Sequence, residues 1–293
     1  MVKRRTYYQL FFIFIVALNI GLYAYLYQYM VRRQEDLSLA ATQSCHSEQP
    51  GNIWLISYAE GELYLANQRA LTVSAINKCV DFTLPYQRKH LDSNFIQKNE
   101  AIFSQKRGAG YWLWKPYFIL ETLQAIPEND ILLYVDSGAM LTAPIDGLVN
   151  ELRHKDIVLF KNFHSMAPFT KRRLLQIMKM DNEQTRQRTQ LVATMILLKN
   201  TKTARQFVAE WLEWCQVPGA IDDSPSEHEY SDFVDHRHDQ SILSLVGFRH
   251  AAWVHMLEFN QIERFFDMHR RHRLKRSLLR KKTKLFSSHA KAA

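Results

Sequence analysis

Short apolar runs alternate along the middle of this chain with stretches whose apolar residues recur every three or four positions. Residues 53–58 (IWLISY), 78–84 (KCVDFTL), 130–136 (DILLYVD), 157–160 (IVLF) and 191–198 (LVATMILL) have the length and composition of strands. The run 130–136 is continuously apolar and ends on an acid, as a strand buried on both faces of a mostly parallel sheet does. Residues 63–78, 112–126, 171–180, 201–216 and 239–246 carry helical spacing. Pro127 stops the second of these helices, and Asp239 is placed to N-cap the last. Alternating strands and helices predict an α/β domain. Its only glycine pair is Gly108–Gly110, and the sequence holds no internal repeat or low-complexity tract.

The two ends differ from this body. Residues 6–30 hold no charge over 25 positions. A bilayer core of about 30 Å needs roughly 20 helical residues, so the stretch is long enough to span. Tyr7, Tyr8, Tyr25, Tyr27 and Tyr29 lie toward its ends, where amphipathic rings favour the interface. A cleaved signal peptide needs a small-x-small site after a shorter apolar core, and none follows. The expected organisation is an anchor at 1–33, a polar stem at 34–50, a catalytic body at 51–269 and a basic tail at 270–293.

Charge follows the same division. The net charge is +9 and the isoelectric point 9.4, but residues 34–269 carry 23 Lys/Arg against 29 Asp/Glu. The body is therefore acidic, and the basic balance belongs to the ends. Lys3, Arg4 and Arg5 precede the span and Arg32 and Arg33 follow it, which leans toward a cytoplasmic N-terminus and a body across the membrane. The tail points the other way. Leu274, Leu278, Leu279 and Leu285 interleave with its cations, as in a helix lying on anionic lipid. That interleaving favours a membrane surface over nucleic acid, and no nucleic-acid partner is expected. Three cysteines, Cys45, Cys79 and Cys215, allow one intrachain disulfide at most.

Three segments concentrate chemistry. In Val135-Asp136-Ser137-Gly138 an acid ends the best strand, where α/β sheets bind ligands and a carboxylate can hold a divalent cation. It is also a plain turn acid. Residues 107–116 (RGAGYWLWKP) join a glycine pair, aromatics and two cations, which suits a phosphate and a sugar or base face, or simply a helix start with a buried Trp. Residues 236–241 (HRHDQS) offer metal ligands, phosphate contacts or a base. Lys171-Arg172-Arg173 and the lone His255 and His269 are weaker features.

Taken together these segments resemble a family of glycosyltransferases with a GT-A type, Rossmann-like nucleotide-sugar fold. The resemblance rests on RGAGYWLWKPYFILETL at 107–123, DILLYVDSG at 130–138, KRRLLQIM at 171–178, QLVATMILLKN at 190–200 and FVDHRHDQSILSLV at 233–246, in that order. It implies a nucleotide-diphospho-sugar donor, a glycan, lipid or protein acceptor, and Mn²⁺ or Mg²⁺. Asp136 then stands at the family's Asp-x-Asp position, with Gly138 replacing the second acid, and His255 is a further candidate ligand. Asp239 and Gln240 resemble the acid-amide pair near the transferred sugar, with Asp239 as base. Candidate donor and phosphate contacts are Arg107, Gly110, Trp114, Lys115, Ser137, Gly138, Lys171 and Arg172. Candidate acceptor or sugar contacts are Gln190, Thr194, His236 and His238. The implied protein is a single-pass, type II membrane enzyme, Golgi-like in a eukaryote. Two other classes stand beside it: a metal-dependent hydrolase built on His236, His238 and Asp239, and a non-catalytic membrane-bound interaction protein.

Overall fold

Every side chain of the strand 131–135 is buried, and the rest of the domain is layered on its two faces. The computed structural model describes Cys45 and residues 47–268. The strands are β1 (Ile53–Tyr58), β2 (Phe82–Tyr86), β3 (Ile131–Val135), β4 (Met140–Leu141), β5 (Ile157–Ser165), β6 (Thr189–Leu191), β7 (Met195–Lys199), β8 (Val254–Glu258) and β9 (Phe266–Asp267). The helices that carry the argument are α1 (Glu62–Ser74), α2 (Trp114–Ala125), α3 (Arg172–Ile177), α4 (Lys202–Cys215) and α5 (His238–Arg249).

Seven strands form one sheet in the order β2-β1-β3-β7-β5-β6, with β8 also paired to β5. Strands β1, β2 and β3 are parallel, as are β5 and β8, while β7 is antiparallel to both β3 and β5 and β6 is antiparallel to β5. The sheet is thus mixed and mostly parallel, with helices on its faces. Strands β4 and β9 pair separately.

Alternation along β3 explains the layering. Leu132 and Tyr134 join a cluster with Trp114, Phe118 and Ile119 of α2, Phe207 and Trp211 of α4, and Ile242 and Leu245 of α5. Ile131, Leu133 and Val135 join the opposite cluster with Leu71 of α1, Leu148, Leu152 and Phe266. Helix α4 buries Ala204, Phe207, Val208, Trp211 and Cys215, a stripe at helical spacing, and Thr201 Oγ1 caps it by accepting from Ala204 N at 3.2 Å. Helix α5 is buried along almost its whole length.

The structure departs from the sequence expectation at several places. The run 191–198 is two strands, because residues 192–194 leave the ladder between β6 and β7. Strand β5 continues past Phe160 to Ser165: its far half is partly exposed and lacks the apolar signal, yet pairs with β6. Strand β8 was not expected, since VHMLE is an edge strand with few buried positions. Helix α1 stops at Ser74 rather than Lys78, and the left-handed backbones of Asn77 (φ 58°) and Cys79 (φ 61°) lie just beyond it. Asp239 lies inside the first turn of α5 and does not cap it.

Cys45 and Cys79 form a disulfide, and Cys215 is a buried free thiol. The bridge ties a residue of the expected stem to the domain, and Glu48 N also donates to Asn150 Oδ1 at 2.9 Å. Among the described residues no helix is long and apolar enough to cross a membrane. The expected anchor at 6–30, residues 34–44 of the stem, His269 and the basic tail lie outside the described residues.

The disulfide closes a loop of sequence separation 34. A cross-link of that span removes about 3–4 kcal/mol of loop-closure entropy from the unfolded chain. Cys79→Ser is expected to lower unfolding stability by about that amount in denaturant titration; an unchanged midpoint would show that the bridge contributes nothing.

Candidate active site

The site is built where α2 begins. Five successive residues before it have left-handed backbones: Gly108 (φ 59°), Ala109 (52°), Gly110 (95°), Tyr111 (50°) and Trp112 (62°). Such a conformation costs roughly 1–2 kcal/mol at each non-glycine residue, so the surroundings must hold it. Trp114 Nε1 donates to Gly108 O at 2.9 Å and Tyr111 N to Arg107 O at 2.8 Å. A Cβ on Gly108 would lie 2.4 Å from the Trp112 ring, and one on Gly110 2.8 Å from Phe103 Cδ1. The glycine pair thus serves a tight left-handed turn. The turn carries the Tyr111 and Trp112 rings to within 4.8 and 5.3 Å of the His238 ring. Trp114 is not a platform for a sugar: it is buried and stacked on Tyr58 at 3.9 Å.

Lys115 follows, on the first turn of α2, and is only 3% exposed. Its ammonium lies 3.1 Å from Asp239 Oδ2 and 3.4 Å from Asp136 Oδ1, and donates to Ala193 O at 3.0 Å. Asp239 is enclosed in the first turn of α5, whereas the Asp136 side chain, just after β3, is 37% exposed. The Lys115–Asp239 contact is an ion pair without a well-aligned hydrogen bond, because Asp239 Oδ2 has no directed donor. Tyr134, two residues before Asp136 and on the same side of the strand, donates its hydroxyl to Asp136 Oδ1 at 2.5 Å.

One cation shared by two carboxylates sets the electrostatics. Burial opposes the charge on Lys115, but Asp136 and Asp239 outweigh it and hold its pKa above the usual lysine value. Burial pushes the Asp239 carboxyl up to about 6, against the opposing pull of Lys115 and with a further push from Asp136. Burial, then Asp136, raises the Tyr134 hydroxyl well above its usual value, so it stays a donor. With both acids ionised the cluster carries one surplus negative charge.

The break between β6 and β7 organises the other side. Ala193 O accepts from Lys115, Ala193 N donates to Gln240 Oε1 at 3.2 Å, and Thr194 O accepts from Asp136 N at 2.9 Å. Gln240 Nε2 donates to Gln190 Oε1 at 2.8 Å, and Gln190 Nε2 to Ser241 Oγ at 3.1 Å. Gln190, Thr194, Asp239 and Gln240 are therefore brought together with Asp136 and Lys115, although Gln190 is itself fully buried. Ser137 is buried and Gly138 partly exposed, both next to Asp136. Tyr134, Ser241 and the Ala193 backbone were not foreseen. Tyr134 alone left a trace, as the polar tip two residues before the terminal acid.

Other expected contacts are engaged elsewhere. Arg107 pairs with Asp235 at 2.7 Å and Asp223 at 3.3 Å. Lys171 is buried and bound to Asp222 Oδ1 at 2.9 Å, and burial lowers its pKa. Arg172 pairs with Asp181 at 3.0 Å and donates to His228 O. These cations fasten the irregular acidic segment 219–235, and in this arrangement none is free for a diphosphate. His236 Nε2 donates to Ala220 O at 2.9 Å and His238 Nδ1 to Ile221 O at 2.7 Å. Burial keeps both rings neutral, with pKa values below the usual histidine range. They anchor the same segment from beneath and do not converge with Asp239, so the hydrolase arrangement is not formed. With those nitrogens turned to Ala220 O and Ile221 O, neither ring is placed as an acceptor contact in this arrangement.

His255 does not join Asp136. It lies near the start of β8, opposite Val158, whereas Asp136 follows the end of β3. By register His255 is level with Leu133, three strands away across β7 and β5, and shares the face of Val158 and Leu133 rather than that of Tyr134, so the two residues lie on opposite faces of the sheet. His255 meets Glu151 and His154 instead. At the Asp136 end the donor set is one half-exposed carboxylate whose contacts fall on Oδ1. That set, in a cluster with surplus negative charge, fits an ion of the Mg²⁺ type, which binds through one or two carboxylates and completes its shell with water and substrate phosphate.

No family model and no curated protein matches this chain. Solved glycosyltransferases resemble it in shape. Mouse xyloside xylosyltransferase 1 is 12% identical with a TM-score of 0.42, covering 71% of this chain and 84% of its own. The galactosyltransferase LgtC, in complex with donor and acceptor sugar analogues, is 13% identical with a TM-score of 0.39, covering 69% and 72%. The bifunctional glycosyltransferase WbbM is 12% identical with a TM-score of 0.42, covering 73% of this chain and 40% of its own. Likeness at this level carries no argument about chemistry, which rests on the side chains.

Removing the shared cation tests the cluster. Lys115→Met leaves two carboxylates facing each other, one of them buried, and is expected to cost about 3–5 kcal/mol near neutral pH. The loss should shrink as the pH falls and Asp239 takes up a proton. Equal destabilisation at all pH values, measured by denaturant titration, would mean that Lys115 acts through packing alone.

Proposed function

We propose that this chain is a membrane-anchored glycosyltransferase of GT-A type, moving a sugar from a nucleotide-diphospho-sugar to a glycan, lipid or protein acceptor. The observation that carries it is the Asp136–Lys115–Asp239 cluster, with Gln240 beside it, at the carboxyl end of the central parallel strand, where open α/β sheets take their ligands.

Each group has a task. Lys115 holds Asp136 and Asp239 in one arrangement and keeps a positive charge beside the leaving diphosphate. Asp136 would hold Mg²⁺ or Mn²⁺, which when bound neutralises charge on that diphosphate. Tyr134 fixes the Asp136 carboxylate by donating to Oδ1. Asp239 takes the proton of the acceptor hydroxyl: its carboxyl changes state at about 6, close to the operating pH of a base, and its enclosure keeps bulk water from it. Gln240, held by Ala193 N and Gln190, presents its amide next to Asp239.

The disulfide supports a body on the oxidising side of a membrane, as in a type II enzyme, since such bonds persist outside the reducing cytosol. It weighs on the side of the charges flanking residues 6–30 and against a tail lying on cytoplasmic lipid.

The test uses the full chain in detergent and a panel of nucleotide sugars, with and without Mn²⁺. One donor is expected to raise the melting temperature in a metal-dependent way, with the shift lost in Asp136→Ala. No shift with any donor in folded protein would defeat the proposal. With that donor, kcat/KM is expected to rise with pH as Asp239 loses its proton, through a midpoint of about 6. Asp239→Asn should lower turnover by about 10²–10⁴-fold and abolish that limb. The raised carboxyl also has a stability counterpart. Its proton stabilises the fold fully below the ordinary Asp value of 3.8, and that contribution is lost as the pH rises through about 6.

A further inference from the structure

The group beside the edge strand β8, on the opposite face of the sheet from Tyr134, has no part in this chemistry. Glu151 lies in a 3₁₀ turn, Asn150–Arg153, and His154 follows it; His255 is the second residue of the edge strand β8. One carboxylate oxygen and two imidazole nitrogens there lie within 4.8 Å of one another. His255 Nε2 is 3.2 Å from Glu151 Oε2, and the His154 and His255 rings are 4.8 Å apart, inclined at 40°. Glu151 and His255 are partly buried and His154 is exposed.

We propose that Glu151, His154 and His255 form a structural site for one Zn²⁺ ion. Tetrahedral Zn²⁺ with N and O ligands at about 2.0–2.1 Å sets its ligand atoms about 3.3 Å apart. The His255–Glu151 pair already stands at that spacing. His154, on an exposed turn, needs to close by only about 1–1.5 Å to match it. Arg153 Nε is 3.3 Å from His154 Nε2, which leaves Nδ1 of that ring as the ligand atom. The neighbouring Lys155 ammonium is bonded to Ala251 O and Val254 O, at 2.9 and 3.1 Å. Two imidazoles and one carboxylate form a borderline set that selects Zn²⁺ over Mg²⁺ or Ca²⁺, which take oxygen. Three protein ligands leave a fourth position for water. The ion would pin β8, an edge strand paired to β5, to the turn that precedes β5. The site is independent of the transferase chemistry and of any ion at Asp136.

The test takes the full chain in detergent, stripped of metal, and adds ZnCl₂ or CoCl₂ alone. Zn²⁺ is expected to raise the melting temperature of the wild type and of Asp136→Asn alike, while Mg²⁺ does not reproduce the shift. Co²⁺ should give the visible bands of a four-coordinate ion. His255→Gln and Glu151→Gln should each weaken Zn²⁺ binding by at least about 100-fold, since even supporting residues around such ions contribute 10–100-fold. Unchanged Zn²⁺ affinity in both variants would overturn the proposal, because the ion would then be bound elsewhere. Should the variants not fold, the wild type decides: no four-coordinate Co²⁺ spectrum in folded protein overturns it as well.

Discussion

A buried ammonium cannot stand alone. Lys115 is removed from water at the start of α2, and the cost of stripping its hydration must be returned by charge and hydrogen bonds. Asp136, Asp239 and Ala193 O supply that return from three separate parts of the chain: the end of β3, the first turn of α5 and the break between β6 and β7. The requirement therefore fixes the relative positions of all three. It also leaves the cluster one negative charge in excess, and the charge is relieved at the more enclosed acid, whose carboxyl is pushed up to about 6.

The break at residues 192–194 connects this constraint to the sheet. An uninterrupted antiparallel strand would have committed the Ala193 and Thr194 backbone to its neighbours. Out of the ladder, Ala193 is bound on both sides, its N to Gln240 and its O to Lys115, while Thr194 O takes Asp136 N. A β-strand irregularity next to a site is a common way of re-aiming groups. Here it lets one backbone segment orient two side chains from helices and fix the backbone of a strand end.

Much of the fold was legible because its strongest signals are local. The DILLYVD run announced a doubly covered central strand, and the spacing of Phe207, Val208, Trp211 and Cys215 announced α4. Weak edge strands were less legible. VHMLE buries little, and the far half of β5 is held by backbone pairing rather than by apolar side chains. In the site, Asp136, Lys115, Asp239, Gln240, Gln190 and Thr194 were named from sequence and do meet. The cations Arg107, Lys171 and Arg172 are expected from sequence to face a phosphate, but Arg107 and Lys171 are paired to an irregular acidic segment that no periodicity marks, and Arg172 to Asp181 just beyond its own helix. Nor does any spacing join His255 to Glu151 across 104 positions.

Those occupied cations change where a diphosphate can find its counter-charge. Arg107, Lys171 and Arg172 are neutralised by Asp223, Asp235, Asp222 and Asp181, and Lys115 is outnumbered by its own two acids. An anion approaching Asp136 thus meets a surplus of negative charge rather than a basic pocket. Two remedies are at hand in the chemistry of the cluster: a divalent ion held between Asp136 and the phosphates, or a proton on Asp239. The proton is available below a pH of about 6 and is inconsistent with Asp239 serving as a base above it. The same residue cannot both hold the compensating proton and accept one from the acceptor. If Asp239 is the base, an ion at Asp136 would add the counter-charge that Lys115 alone does not supply to the proposed donor, and one carboxylate is enough to hold an ion of the Mg²⁺ type.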